Sequence, residues 1–298
     1  MNHLQAVTVM ERQTPEPPST PRRFPWWQLA GLVVLVGFLY YPVLAKLVRD
    51  WWNDPNFSHG FIVPLFSGFL VWHDRERLAA LPLRPSWLGL PIIVAALGLL
   101  VVGSLGAELF LSRSSLVILI AGLIVYFAGW AQFRALLFPW IFLFLMIPIP
   151  AIIFNQITFP LQLLASRLAS AILPVFGVPV LREGNVINLP AMPLQVAEAC
   201  SGIRSLMSLG TLAIIYAYFL DNNTARRIIL VLAAVPIAVA ANALRIVGTG
   251  LAVQYWDPEK GLGFFHEFSG WVIFCVSVAM LFLVHGATKL IIREKKAA

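Results

Sequence analysis

The chain has 298 residues, carries 21 Lys and Arg against 14 Asp and Glu, and is 59% hydrophobic but only 12% charged. A soluble domain typically carries about a quarter of its residues as charge, so a water-covered globule is excluded, and a mean hydropathy of +0.83 points to a polytopic membrane protein. Two cysteines, Cys200 and Cys275, exclude a disulfide framework or a Cys-rich metal site.

Residues 1–25 form a polar lead with Pro15, Pro17, Pro18 and Pro21, too poor in apolar surface to order itself, and read as a disordered cytoplasmic tail. The polytopic membrane domain is expected over 26–290, followed by a basic cytoplasmic tail at 291–298. A bilayer core of about 30 Å needs roughly 20 apolar residues per helix. Runs near that length occur at 26–48, 87–106, 114–130, 135–154, 196–220, 228–250 and 269–289, and a shorter run at 57–73, interrupted by Pro64, makes an eighth. Segment 157–176 differs: Gln162, Ser166 and Ser170 recur every four residues opposite Leu161, Leu164, Leu168 and Ile172. One polar and one apolar stripe predict an amphipathic helix at the interface or packed on the bundle rather than a span. Next, the stretch 178–189 places two β-rich pieces around Glu183-Gly184-Asn185, a small hairpin on the outer side. The fold class is therefore an all-α integral membrane protein of about eight transmembrane helices. Basic residues scattered in ones and twos set topology rather than bind nucleic acid, and their bias puts both termini inside.

The chemistry concentrates in Ala197-Glu198-Ala199-Cys200-Ser201-Gly202-Ile203-Arg204-Ser205. Cys200 lies about 6 Å inside the outer end of its span at 1.5 Å per residue. Arg245, after Asn242 on the next and oppositely directed run, falls at the same depth, and His266 ends the loop that enters the last run at that face. A thiol, a guanidinium and an imidazole converging on one layer are the inventory of a cysteine acyl-transferase. The thiolate is the nucleophile, a cation lowers its pKa, and an arginine stabilises the developing oxyanion. Against this, a free cysteine in an apolar segment is ordinarily a packing residue, the reading given to Cys275. An arginine inside a span costs several kcal/mol unless paired or facing a polar cavity, which marks Arg245 as functional. Arg204, one turn after Cys200, is placed to tune the thiol or, equally, to pair with Glu198 or Glu108. His59, in Ser58-His59-Gly60, reads as a helix-start residue beside a cap, and Glu108 as a polar lid or counter-ion. Asn242 is placed to orient the Arg245 guanidinium or bind substrate backbone. No metal motif, P-loop or dinucleotide fingerprint is present, so no cofactor is expected.

The run Ala199-Cys200-Ser201-Gly202-Ile203-Arg204-Ser205-Leu206, Asn242 with Arg245, and His266 with Gly270 resemble the exosortase/archaeosortase family of integral membrane transpeptidases. Ser58-His59-Gly60 and Arg182-Glu183-Gly184-Asn185 extend the likeness over about 50–285. The resemblance implies a protease or transpeptidase of the bacterial inner membrane, with Cys200, Arg245 and His266 as catalytic set and its site facing the periplasm. It also implies the partners: exported proteins ending in a Pro-Glu-Pro-type (PEP-CTERM) motif, a membrane helix and a basic tail, within membrane lipid, with the acceptor nucleophile unassigned. Archaeal relatives carry an arginine where this chain has His266, leaving the proton donor open between Arg245 and His266. The short stretch after the eighth run leaves no room for the soluble C-terminal domain of some members. The rival class is a polytopic transporter or exopolysaccharide-assembly subunit with Arg204, Arg245 and Glu108 along an anion path. Clustering of the polar residues at one face, rather than mid-bilayer, favours the enzyme. A rhomboid-like serine protease using Ser201 or Ser205 is a weaker third reading.

Overall fold

The computed structural model describes residues 26–196, 202–256 and 264–292. Two compact units divide at Tyr41 and Pro42. The first contains helix α1 (Trp26–Leu39), apolar along its length.

The second unit begins with α2 (Tyr41–Asn53), a 3-10 turn at Ser58–Phe61, α3 (Ile62–His73) and the short α4 (Arg75–Ala80). An antiparallel pair follows, α5 (Gly89–Leu105) and α6 (Leu109–Phe127). Small residues let the two approach: a Cβ at Gly89 would stand 2.6 Å from the Gly122 carbonyl oxygen, and one at Gly122 would stand 2.9 Å from the Ile93 nitrogen. Beyond α6 the expected span at 135–154 is broken. It consists of α7 (Trp130–Ala135), α8 (Leu137–Phe142) and a 3-10 turn at Leu143–Met146, and ends at Ile147-Pro148-Ile149-Pro150, where two prolines remove donors and disfavour helical conformation before them.

The next helix, α9 (Ala151–Ile172), packs on the bundle, one of the two placements expected for 157–176. It starts six residues earlier and, with the turn that follows, gives an apolar stretch Ala151–Phe176 long enough to cross a membrane. Its polar stripe faces inward. Gln162 and Ser166 are buried, while Leu164 and Leu168 are exposed. Their partner is the hairpin: Ser166 Oγ donates to the Gly184 carbonyl at 3.0 Å and Asn185 Nδ2 donates to Gln162 Oε1 at 3.2 Å.

The hairpin forms where expected, β1 (Leu181–Glu183) antiparallel to β2 (Val186–Asn188), with Gly184 at φ +65° in the two-residue loop. A third strand not anticipated, β3 (Pro193–Gln195), pairs with β2 in the order β1-β2-β3. Ile187 and Leu194 bury one face of this sheet against Ala165 and Ala169 of α9 and against Ile246 and Val253 of a later helix, Thr224–Tyr255. Asn185 also clasps Val196, the last described residue before the Cys200 segment: its carbonyl accepts from Val196 N at 2.9 Å and its Nδ2 donates to Val196 O at 3.2 Å.

The chain then runs through α10 (Ile203–Leu220), α11 (Thr224–Tyr255) and α12 (Phe264–Ile291). Leu209 and Ala213, Leu230 and Ala234, and Leu281 form their shared core. At the end formed by the α10–α11 loop, a buried polar network locks the three together. His285 Nε2 lies 3.0 Å from Asp221 Oδ2 and its Nδ1 lies 2.6 Å from Tyr216 Oη. Arg226 Nε meets Asp221 Oδ2 at 2.8 Å. An ionised carboxylate only accepts, so Nε2–H donates to Asp221 and Nδ1 accepts from the Tyr216 hydroxyl. Burial pushes the Asp221 carboxyl up, but the Asn223 N–H, the His285 hydrogen bond and the Arg226 charge outweigh it and hold it below the ordinary carboxylate range.

Among the described residues five helices are long and apolar enough to cross a membrane, or six if Ala30–Leu39 and Tyr41–Asn53 count as one broken span. The eight-span count is not reached by length. The 57–73 run yields only the 12-residue α3 and the 135–154 run only short pieces, while α5, at 17 residues, is the longest helix outside the count.

Candidate active site

The chain enters α10 through Gly202, held at φ +78°. A Cβ there would stand 3.1 Å from Asn242 Cβ, so both the left-handed backbone and the close pass of α11 call for glycine. Three residues on, one turn along α11, Arg245 is buried beside the equally buried Asn242. Its guanidinium lies against α12: a Cβ at Gly270 would be 3.6 Å from Arg245 Cζ. These three helices, reached from distant parts of the chain, bound a cavity of about 400 Å³. Arg204, Ser205 and Ser208 line it from α10, Arg245 from α11, and Gly270 and Trp271 from α12, with Ser58 contributing from the early 3-10 turn. Trp271 is 75% exposed, so the cavity reaches the lateral surface of the bundle.

The Asp221 network sits at the other end of the same helices. From Arg204 to Asp221 is seventeen residues of α10 and its end, about 25 Å at 1.5 Å per residue. The bundle is thus pinned at one end by a fully paired polar cluster and opens at the other into a cavity.

His59 is buried, with Nε2 3.2 Å from the Leu145 carbonyl oxygen. It makes no cap: the turn at Ser58–Phe61 has no side-chain cap hydrogen bond. Trp51 Nε1 donates to the neighbouring Met146 carbonyl at 2.8 Å, and the Trp51 indole fills the space where a Gly60 side chain would be. Together these hold Ser58 at the cavity wall, while His59 itself faces elsewhere. Glu108 stands apart from the cavity. It is exposed, caps α6 by accepting from Phe110 N at 3.1 Å, and forms no ion pair with Arg204. The buried Arg113 takes Asp50 as its counter-ion instead.

Cys200 and Glu198 lie outside the described residues, as does the side chain of His266, whose backbone is in the first turn of α12, four residues before Gly270. Cys275 is exposed on α12. Sequence reasoning missed Ser208 and Trp271 at the cavity, where Ser205 enters it only as a serine nucleophile, and the cluster of Tyr216, Asp221, Arg226 and His285. An imidazole inside the apolar run 269–289 was the available signal for the latter, since an ionisable group at such a position needs a partner. Among the described residues no three His, Cys, Asp or Glu side chains gather as a metal ion would require.

The sequence profile of the transmembrane exosortases matches residues 51–283. The chain belongs to the exosortase family. The matched stretch begins at Trp51, which braces the Ser58 turn, and ends within α12, so it contains every element around the cavity. No curated relative and no solved structure matches this exosortase. Membership supports a multi-pass membrane protein with a transpeptidase or protease role.

Proposed function

We propose that this exosortase is a cysteine transpeptidase that cleaves C-terminal sorting signals, of the Pro-Glu-Pro motif, membrane helix and basic tail type, from exported proteins at the periplasmic face of the bacterial inner membrane. The observation that carries the reading is the meeting of the start of α10, Arg245 of α11 and Gly270 of α12 around one cavity. In the sequence Cys200 precedes by two residues Gly202, which meets Asn242.

In this mechanism the Cys200 thiolate attacks the scissile carbonyl carbon, a C–S bond forms, and the carbonyl π electrons move onto oxygen. Arg245 stabilises first the thiolate and then that oxyanion, work suited to a group that is always protonated. Collapse restores the carbonyl and breaks the C–N bond. The departing amine takes its proton from the His266 imidazolium, which received it from the Cys200 thiol. An acceptor nucleophile then attacks the thioester, gives its proton back to His266 and releases the thiolate. A substrate helix enters from the lipid beside Trp271. With both termini cytoplasmic, the loop at 221–223 faces inward and the start of α10 faces the periplasm.

A tailed reporter co-expressed with the enzyme tests the reading by its size. Cys200→Ala should abolish processing and Cys275→Ala should leave it near normal. Processing by the Cys200→Ala enzyme would refute the thiol mechanism.

A further inference from the structure

We propose that Arg204 binds a carboxylate side chain of the peptide substrate and so decides which signals the cavity accepts; the inference rests on the transpeptidase reading and adds a specificity residue to it. Arg204 shares the cavity with Arg245, and no Asp or Glu is among the described residues that line it. Its Nε is buried and meets no hydrogen-bond partner among the described residues. Among the described residues the nearby acids are engaged elsewhere: Asp54, beside the lining residue Pro55, accepts from Asn56 N, Asp50 pairs with Arg113, Asp221 with Arg226 and His285, and Glu108 caps the first turn of α6. A buried guanidinium edge with no partner is costly to desolvate until an anion meets it.

The remaining polar lining fits the same ligand. Ser58, Ser205 and Ser208 bring hydroxyl donors, and Arg204 is the second residue of α10, where the helix end adds positive potential. A planar fork with a free Nε–H edge matches a carboxylate through two parallel hydrogen bonds. A volume of about 400 Å³, open to the side at Trp271, has room for an acidic side chain. A peptide carboxylate is favoured over a lipid phosphate because the same cavity runs onto Arg245 and Gly270, where the scissile bond is placed.

The test uses full-length enzyme in membranes and two reporters that differ only in the acidic residue of the motif, Pro-Glu-Pro against Pro-Gln-Pro, and reads the ratio of their initial processing rates. Hydrogen bonds to charged groups imply a ratio of about tenfold or more for the wild type. For Arg204→Gln the ratio should fall to within about twofold of one, whatever the absolute rate, and Arg204→Lys should lie between. A wild-type enzyme that processes both reporters equally overturns the proposal, and so does an Arg204→Gln enzyme that keeps the wild-type ratio. Equal slowing of both reporters is that second result, and assigns Arg204 to the protein's own frame or to a lipid phosphate. A Cys200→Ala enzyme that still cleaves either reporter would instead sink the cysteine reading, so the two failures are distinguishable.

Discussion

The Arg245 guanidinium lies over Gly270, where an added Cβ would stand 3.6 Å from its Cζ. Two residues 25 apart in sequence thereby fix the distance between α11 and α12 at the cavity. Gly270→Ala should be tolerated, because 3.6 Å is ordinary van der Waals contact. Gly270→Val should displace the guanidinium and lower reporter processing by at least about tenfold, the scale of one lost transition-state hydrogen bond, while the amount of enzyme in the membrane stays near normal. Arg245→Lys should be comparably damaged, since a point charge on a flexible stem does not reproduce a planar fork.

Gly202 and Gly184 both adopt positive φ, yet only Gly202 is also crowded, with Asn242 Cβ 3.1 Å from an added Cβ. Gly184→Ala should cost about 1–2 kcal/mol of backbone strain and little activity. Gly202→Ala carries the same strain and pushes α10 off α11, so it should lose most activity. Parallel thermal-stability and reporter assays separate the two.

At the opposite end, Asp221→Asn leaves Arg226 buried without its counter-ion and turns into a donor one of the two oxygens that Asn223 N, Arg226 and His285 share. Breaking a buried pair from one side costs about 3–5 kcal/mol, and detergent-solubilised enzyme should melt correspondingly earlier. Because the Asp221 carboxyl is held below its ordinary range, its contribution is complete above the ordinary carboxylate pKa and is lost as pH falls through the lowered value. Wild-type stability should therefore drop in that acid window, and the Asp221→Asn enzyme should show a smaller drop there.

The orientation of the bundle has its own test. Asn222 is exposed in the loop between α10 and α11, and Cys275 is exposed on α12 and must be removed together with Cys200 before labelling. In that background a cysteine at Glu259 should react with a membrane-impermeant thiol reagent applied to cells with a permeabilised outer envelope. A cysteine at Asn222 should not. The reverse pattern would put the cavity on the cytoplasmic side, where no exported signal meets it.

The hairpin was legible because Glu183-Gly184-Asn185 sits between β-branched residues, whereas Pro193-Leu194-Gln195 has no alternation of its own and becomes a strand only by pairing with β2. The stripe of Gln162 and Ser166 was legible as amphipathic, but periodicity does not say which face meets water. Here the polar face turns inward because Gly184 and Asn185 supply its hydrogen bonds. The run 135–154 is apolar enough for a span, and its breakage at Pro148 and Pro150 outweighs hydropathy. Arg245 could be placed level with the start of the Cys200 run by counting residues from the outer ends of two oppositely directed runs, and Arg204 shares its cavity. His59 was visible as a residue, but its partner, the Leu145 carbonyl, is a backbone group 86 positions away. His285 and Asp221 were overlooked for the same reason, since their contact spans 64 positions.

A thioester on Cys200 can be captured during turnover. Membranes containing the enzyme and a tailed reporter, treated with hydroxylamine during turnover, should yield the N-terminal reporter fragment as a hydroxamate. Mass spectrometry of the enzyme quenched before that treatment should map the fragment to the Cys200 peptide. An adduct on any other residue, or hydroxamate formed equally by the Cys200→Ala enzyme, would contradict the account.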